Sequence, residues 1–142
     1  MTTTENKDLV RRFISAINEH DLDALTTFVA KDLVNHSAIP EAQGADGLRR
    51  IFEKSFTAIP DQRATVEDLV AEGDRVVCRL TIRGTNTGPF TFVNNPFPPT
   101  NRAVQMDHIH VYRIDAGKIA EAWMGRDDFG LLRQLGRKVV AS

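Results

Sequence analysis

Apolar residues recur at helical spacing up to about residue 59 and at strand spacing after it. From about Thr4 to Asn18, Leu9, Phe13 and Ile17 are spaced by four, with Val10 and Ile14 in the adjacent row. That is one apolar stripe, and it predicts an amphipathic helix. Asp21 stands as an N-cap before a shorter helix carrying Leu22, Leu25 and Phe28. Leu33-Val34 reads as a short extended piece. Gly44 to Gly47 reads as a turn, with Asp46 capping a third helix whose apolar face is Leu48, Ile51, Phe52, Ser55 and Phe56. Ile59-Pro60-Asp61 ends that helix.

Strand grammar follows. Ala64 to Ala71 and Arg75 to Thr85 flank Glu72-Gly73-Asp74, a hairpin signal. Gly88 to Asn101 holds four prolines and three asparagines and reads as a loop. Ala103 to Ile114 is a long strand, turned back by Asp115-Ala116-Gly117 onto Lys118 to Met124. A short helix, Asp127 to Leu135, is stopped by Gly136. Helices first and an antiparallel meander second predict an α+β fold, with helices covering one face of a curved sheet. A curved sheet capped by helices leaves room for a ligand at its open end.

The chain has 142 residues, enough for one domain (1–142) with a core of its own. A net charge of -1, with the cations scattered, gives no electrostatic reason to bind nucleic acid or an anionic membrane. No stretch approaches the ~20 apolar residues of a membrane span. The N-terminus lacks the apolar core of a secretory signal, and a single cysteine, Cys78, excludes an intrachain disulfide. A cytoplasmic setting is therefore expected.

Several segments together resemble the SnoaL-like polyketide cyclase family, of the nuclear-transport-factor-2-like superfamily. They are Ile59-Pro60-Asp61 with Val66-Glu67-Asp68-Leu69, Glu72-Gly73-Asp74-Arg75-Val76-Val77, and Arg83-Gly84-Thr85-Asn86-Thr87-Gly88. Further along come Pro98-Pro99-Thr100-Asn101-Arg102, Tyr112-Arg113-Ile114 with Gly117-Lys118-Ile119, Glu121-Ala122-Trp123 and Gln134-Leu135-Gly136. Their order and spacing span about Lys7 to Gly136. The resemblance implies a cone-shaped curved antiparallel sheet (an NTF2-like or cystatin-like α+β barrel) around an apolar pocket. It also implies frequent dimers or tetramers built through the sheet, a homodimer being expected here, and ring closure by an intramolecular aldol step with neither metal nor organic cofactor. The family's histidine falls on His110, a polar pocket neighbour on His108 and its asparagine on Asn35. Its catalytic aspartate falls on Met124, and a thioether cannot shuttle a proton. Asp127 matches an acid common in the broader family at the start of the last helix.

The residues themselves allow the same site. Alternation puts Met106, His108, His110 and Tyr112 on one face of their strand. Two imidazoles between Met and Tyr form a polar island where a His pKa can be tuned. His36 as a third imidazole would complete a zinc set, but no carboxylate or cysteine partner is fixed by spacing, and no metal is expected.

The expected chemistry is general acid/base catalysis on a small apolar carbonyl compound, with His110 as the main proton-transfer group and His108 and Asp127 assisting. Asn35, Phe52, Trp123 and Met124 would line the pocket. Asp127 reads equally as an N-cap. The segment Phe90 to Pro99 reads as a lid, as an interface loop or as a rigid connector. A non-catalytic binding module is the main rival. A hydratase or epoxide-hydrolase relative is a third reading, and it requires Asp127 and Asn35 to converge on one water.

Overall fold

The computed structural model describes residues 1–91 and 96–137. Helix α1 (Thr3–Asn18) and the short α2 (Leu22–Thr26) precede strand β1 (Val29–Asn35) and helix α3 (Gly44–Ala58). Strands β2 (Arg63–Glu72), β3 (Arg75–Thr85), β4 (Ala103–Asp115) and β5 (Lys118–Arg126) follow, and α4 (Asp128–Gln134) closes the described chain. The five strands form one unclosed sheet in the order β1-β5-β4-β3-β2. Helices α1 and α3 lie over one of its faces.

The helix starts follow local chemistry. Thr2 caps α1 by accepting from the Glu5 N–H, and Asp21 caps α2 by accepting from the Ala24 N–H. Helix α3 departs from expectation. Asp46 lies in its first turn and is not its cap; Gln43 occupies that place without a side-chain capping bond. The Gln43 amide reaches back to β1 instead, accepting from Asn35 N–H at 2.7 Å and donating to Asn35 C=O at 2.7 Å.

One further expectation is corrected. The extended piece at Leu33-Val34 is a strand of seven residues, and it runs parallel to β5. The sheet is therefore an antiparallel meander with one parallel edge, and it does not close into a barrel. The segment read as a lid is partly buried: Phe90 and Phe97 pair across an isolated bridge and stack at 4.8 Å. They join Ala58, Ile59, Val104, Leu131 and Leu135 in a second apolar cluster. The stretch between them, 92–95, lies outside the described residues.

The main core is made where α1 meets the sheet. Leu9, Val10, Phe13, Ile14 and Ile17 are all buried, as their spacing requires. Phe13 is the hub, meeting Tyr112 of β4 edge-on at 6.0 Å, and Phe28 and Phe52 at 6.5 Å each. Cys78 is wholly buried on β3, and burial pushes its thiol up to about 11. It is an inert core residue.

One polar group holds the second half together. Asn86, with no exposed surface, donates to the carbonyls of Ala58 and Gly88 and accepts from the Thr100 N–H and hydroxyl. It ties the end of α3 to both ends of the loop between β3 and β4. Removing the amide strands those groups in a dry interior. Asn86→Ala is expected to cost about 2–3 kcal/mol. A urea midpoint equal to that of the unaltered protein would show that the network carries no stability.

Candidate functional site

The pleat of β4 sorts its residues. Tyr112 is buried against Phe13, so Met106, His108 and His110, of the same parity, share the helix-covered inner face. Register extends this face across the sheet. Cys78, His110 and Met124 stand in one row of paired residues, Leu80, His108 and Arg126 in the next, and Val76, Tyr112 and Ala122 on the other side. Asn35 pairs with Ala122, and its Nδ2 lies 3.9 Å from the Met124 sulfur.

His110 is the centre of this face, with 8% of its surface exposed. Its Nδ1 shares a 2.7 Å hydrogen bond with the Tyr112 hydroxyl, while Nε2 is buried without a hydrogen-bond partner among the described residues. The His108 ring stands 5.2 Å away, centroid to centroid. Burial drives the His110 pKa down to about 3, helped by His108 and then Arg126. It drives His108 down to about 4, with Arg126 lowering it further and Asp128 and Asp107 opposing. Both imidazoles are uncharged at neutral pH. Burial also raises the Tyr112 pKa, so the phenol keeps its proton.

The structure brings together His108, His110, Met124 and Asn35. Phe52 joins them through Phe13, on the helix side. Trp123 is not brought to this site: it pairs with Val111, and so carries the opposite parity to Met124. On the outer face it stacks on His36 at 4.7 Å, beneath the Arg75 guanidinium at 5.1 Å. His36, stacked there, is thereby kept from His108 and His110. Asp127 caps α4, its carboxylate accepting from the Gly130 N–H at 2.8 Å. Sequence reasoning passed over Tyr112 as a partner of His110, although its i+2 spacing on a strand was the available signal. It also passed over Arg126, whose register with His108 depends on the length of the β4–β5 hairpin. Two surface depressions, of about 550 and 480 Å³, lie around the Gly73-Asp74 turn, and neither is lined by an imidazole.

A curved sheet with helices over one face is the α+β class of the cystatin fold. Within that class the chain belongs to the SnoaL-like polyketide cyclase family, whose sequence pattern matches residues 7–135. Solved structures agree. TsrD from Streptomyces laurentii is 28% identical, with 97% of this chain and 99% of that chain covered and a TM-score of 0.84. AclR from Streptomyces galilaeus, described as a candidate hydroxylase, is 29% identical over 99% of this chain and 87% of its own, with a TM-score of 0.84. A SnoaL-like polyketide cyclase from Agrobacterium tumefaciens is 29% identical over 96% and 100%, with a TM-score of 0.76. No protein of curated function matches significantly. No helix among the described residues is long and apolar enough to cross a membrane.

The depressed His110 pKa makes stability depend on pH. An unfolded histidine titrates near ~6.5, so between there and about 3 the unfolded chain binds the extra proton. The contribution is complete above pH ~6.5 and is lost progressively as pH falls. His108 acts in the same direction. His110→Gln should flatten the fall in unfolding free energy between pH 6.5 and 4, by up to about 1.4 kcal/mol per pH unit. Urea titrations at several pH values, showing equal slopes in the two proteins, would refute the buried neutral state.

Proposed function

We propose that this protein is a cofactor-independent enzyme of carbonyl chemistry, catalysing an aldol- or enolate-type cyclisation or isomerisation of a small apolar substrate. The observation that carries this reading is the His110 Nε2, buried and unpartnered on the inner face of a family whose reactions develop charge on oxygen. A substrate carbonyl placed there would hydrogen-bond this nitrogen in a low-dielectric setting, where such a bond is worth most. Asn35 supplies a second donor. Its Nδ2 donates to the Met124 thioether, a weak acceptor that a substrate oxygen would outcompete.

The chemistry balances without an oxidant or reductant. A base removes a proton from carbon next to a carbonyl, and the C–H electron pair passes into an enolate. The enolate carbon attacks a second carbonyl of the same molecule, and the new alkoxide takes the proton back. Met124 cannot serve as the acid or base. Asp127 is occupied at its cap and stands outside the proposed proton path. The imidazoles are the groups positioned for the proton. Phe52 and Met124, both partly buried, supply apolar surface for the substrate.

We read the outer sheet face as the surface for a second copy of the chain. Val70, Val77 and Ile109 are exposed there at 61%, 38% and 55%.

A second reading, a non-catalytic binder of small apolar molecules, draws on Met124 standing directly opposite His110 in place of an acid. The two readings separate on one experiment. A panel of apolar mono- and dicarbonyl compounds is incubated with the protein and with His110→Ala, and products are followed by chromatography. Turnover is expected to fall about 10²–10³-fold in a variant whose circular dichroism is unchanged. Unaltered turnover would remove His110 from the reaction. Compounds retained but never converted would establish the binder.

A further inference from the structure

The hydrogen bond between Tyr112 and His110 has a direction, and hydrogen-bond accounting decides it. Tyr112 is 1% exposed, and His110 Nδ1 is the one hydrogen-bond partner of its hydroxyl among the described residues. A neutral imidazole carries one proton, on Nδ1 or on Nε2. With the proton on Nδ1, that N–H donates to the phenol oxygen. The phenol hydrogen then has no acceptor, and the Nε2 lone pair has no donor. With the proton on Nε2, the phenol donates to the Nδ1 lone pair. Both of those groups are satisfied, and a single N–H is left over. Buried polar groups are costly to orphan, so the arrangement with one orphan is favoured over the arrangement with two.

We propose that Tyr112 is a positioning residue that locks His110 as its neutral Nε2–H tautomer, so that His110 meets the substrate oxygen as a hydrogen-bond donor and leaves proton abstraction to His108. This rests on the carbonyl-chemistry reading for its catalytic part only; the tautomer stands on the geometry alone. His108 fits the role left to it. It is only partly buried, adjacent to His110, and without a hydrogen bond among the described residues, so its ring nitrogens are uncommitted. The charged groups acting on it are Arg126, which opposes its protonation, and Asp128 and Asp107, which assist it. A base beside a neutral electrophile divides between two imidazoles the work that a carboxylate performs when it shuttles the proton.

The test reads the tautomer directly. Long-range proton–nitrogen correlation spectra of the ¹⁵N-histidine-labelled protein at pH 7 should show His110 with a protonated Nε2 and an unprotonated Nδ1. Tyr112→Phe keeps the ring against Phe13 and removes only the hydroxyl. It should shift His110 toward the other tautomer or a mixture of the two. An Nδ1–H tautomer in the unaltered protein overturns the proposal, as does a His110 pattern that Tyr112→Phe leaves unchanged. Should that variant not fold, the spectrum of the unaltered protein decides by itself.

Kinetics test the donor role separately. His110→Gln, which keeps an N–H donor, should retain about tenfold more activity than His110→Ala, whereas a proton-transfer role predicts equal loss in both. An Nε2–H signature in a protein that converts no carbonyl compound would uphold the tautomer lock and remove the enzymatic reading.

Discussion

An imidazole kept uncharged in a dry setting is the constraint on which this structure turns. His110 is a polar side chain at the middle of a face that α1 covers through Phe13 and Tyr112. In that position charge is expensive, so the ring stays neutral and takes what hydrogen bonding its neighbours offer. One ring nitrogen is served by Tyr112 and the other is left bare. A core built for stability alone would place an apolar residue there. An unpaired buried nitrogen calls for an explanation, and a binding or catalytic role is the one proposed for His110.

The same constraint explains the company His110 keeps. Cys78 and Met124 flank it in register, both soft and weakly polar, and neither is able to stabilise an imidazolium. A carboxylate at the Met124 position would raise the His110 pKa and invite a charged pair. The thioether withholds that stabilisation, and the charge in register with His108, Arg126, opposes protonation of both imidazoles. Family membership does not determine such a choice, because relatives of this fold differ in chemistry through a handful of positions. At 28–29% identity to TsrD and AclR, most of the shared information specifies the cone, not the reaction.

How much of this was legible in the sequence depends on how local each determinant is. The four-residue spacing of Leu9, Phe13 and Ile17 and the parity of Met106, His108, His110 and Tyr112 are local, and both appear in the fold as expected. The parallel pairing of β1 with β5 is not local. It joins Val29 to Ile119 across most of the chain, and no short-range pattern announces it. Trp123 was legible in principle: once Met124 faces His110, its neighbour must face away. Asn86 was not, because a loop asparagine looks the same whether water satisfies it or groups from Ala58 and Thr100, far along the chain, do. Asp127 offered two readings, a cap and a catalytic acid; its bond to Gly130 is the cap's.

The two faces of the sheet are not independent. On the outside, Glu121 accepts from Arg113 at 2.7 Å and bonds His36 at 2.6 Å, while His36 stacks on Trp123. The Arg113 bond, and then His36, hold the Glu121 carboxyl below its ordinary pKa. These contacts fasten the end of β1 to β5 and β4 from the solvent side. At the same end of β1, Gln43 clasps the Asn35 backbone, and Ser37 donates its N–H to the Asn35 side-chain Oδ1 while its hydroxyl accepts from the Met124 N–H. The free end of the Asn35 side chain is thus left its amide hydrogens, aimed over Met124 toward the row of His110. A donor held this way loses little freedom when an oxygen arrives, which is the condition under which a hydrogen bond contributes most to binding a developing charge. Trp123 stacks on His36 at the β1–β5 junction, and so braces from the outer face the strand end that carries Asn35 on the covered one.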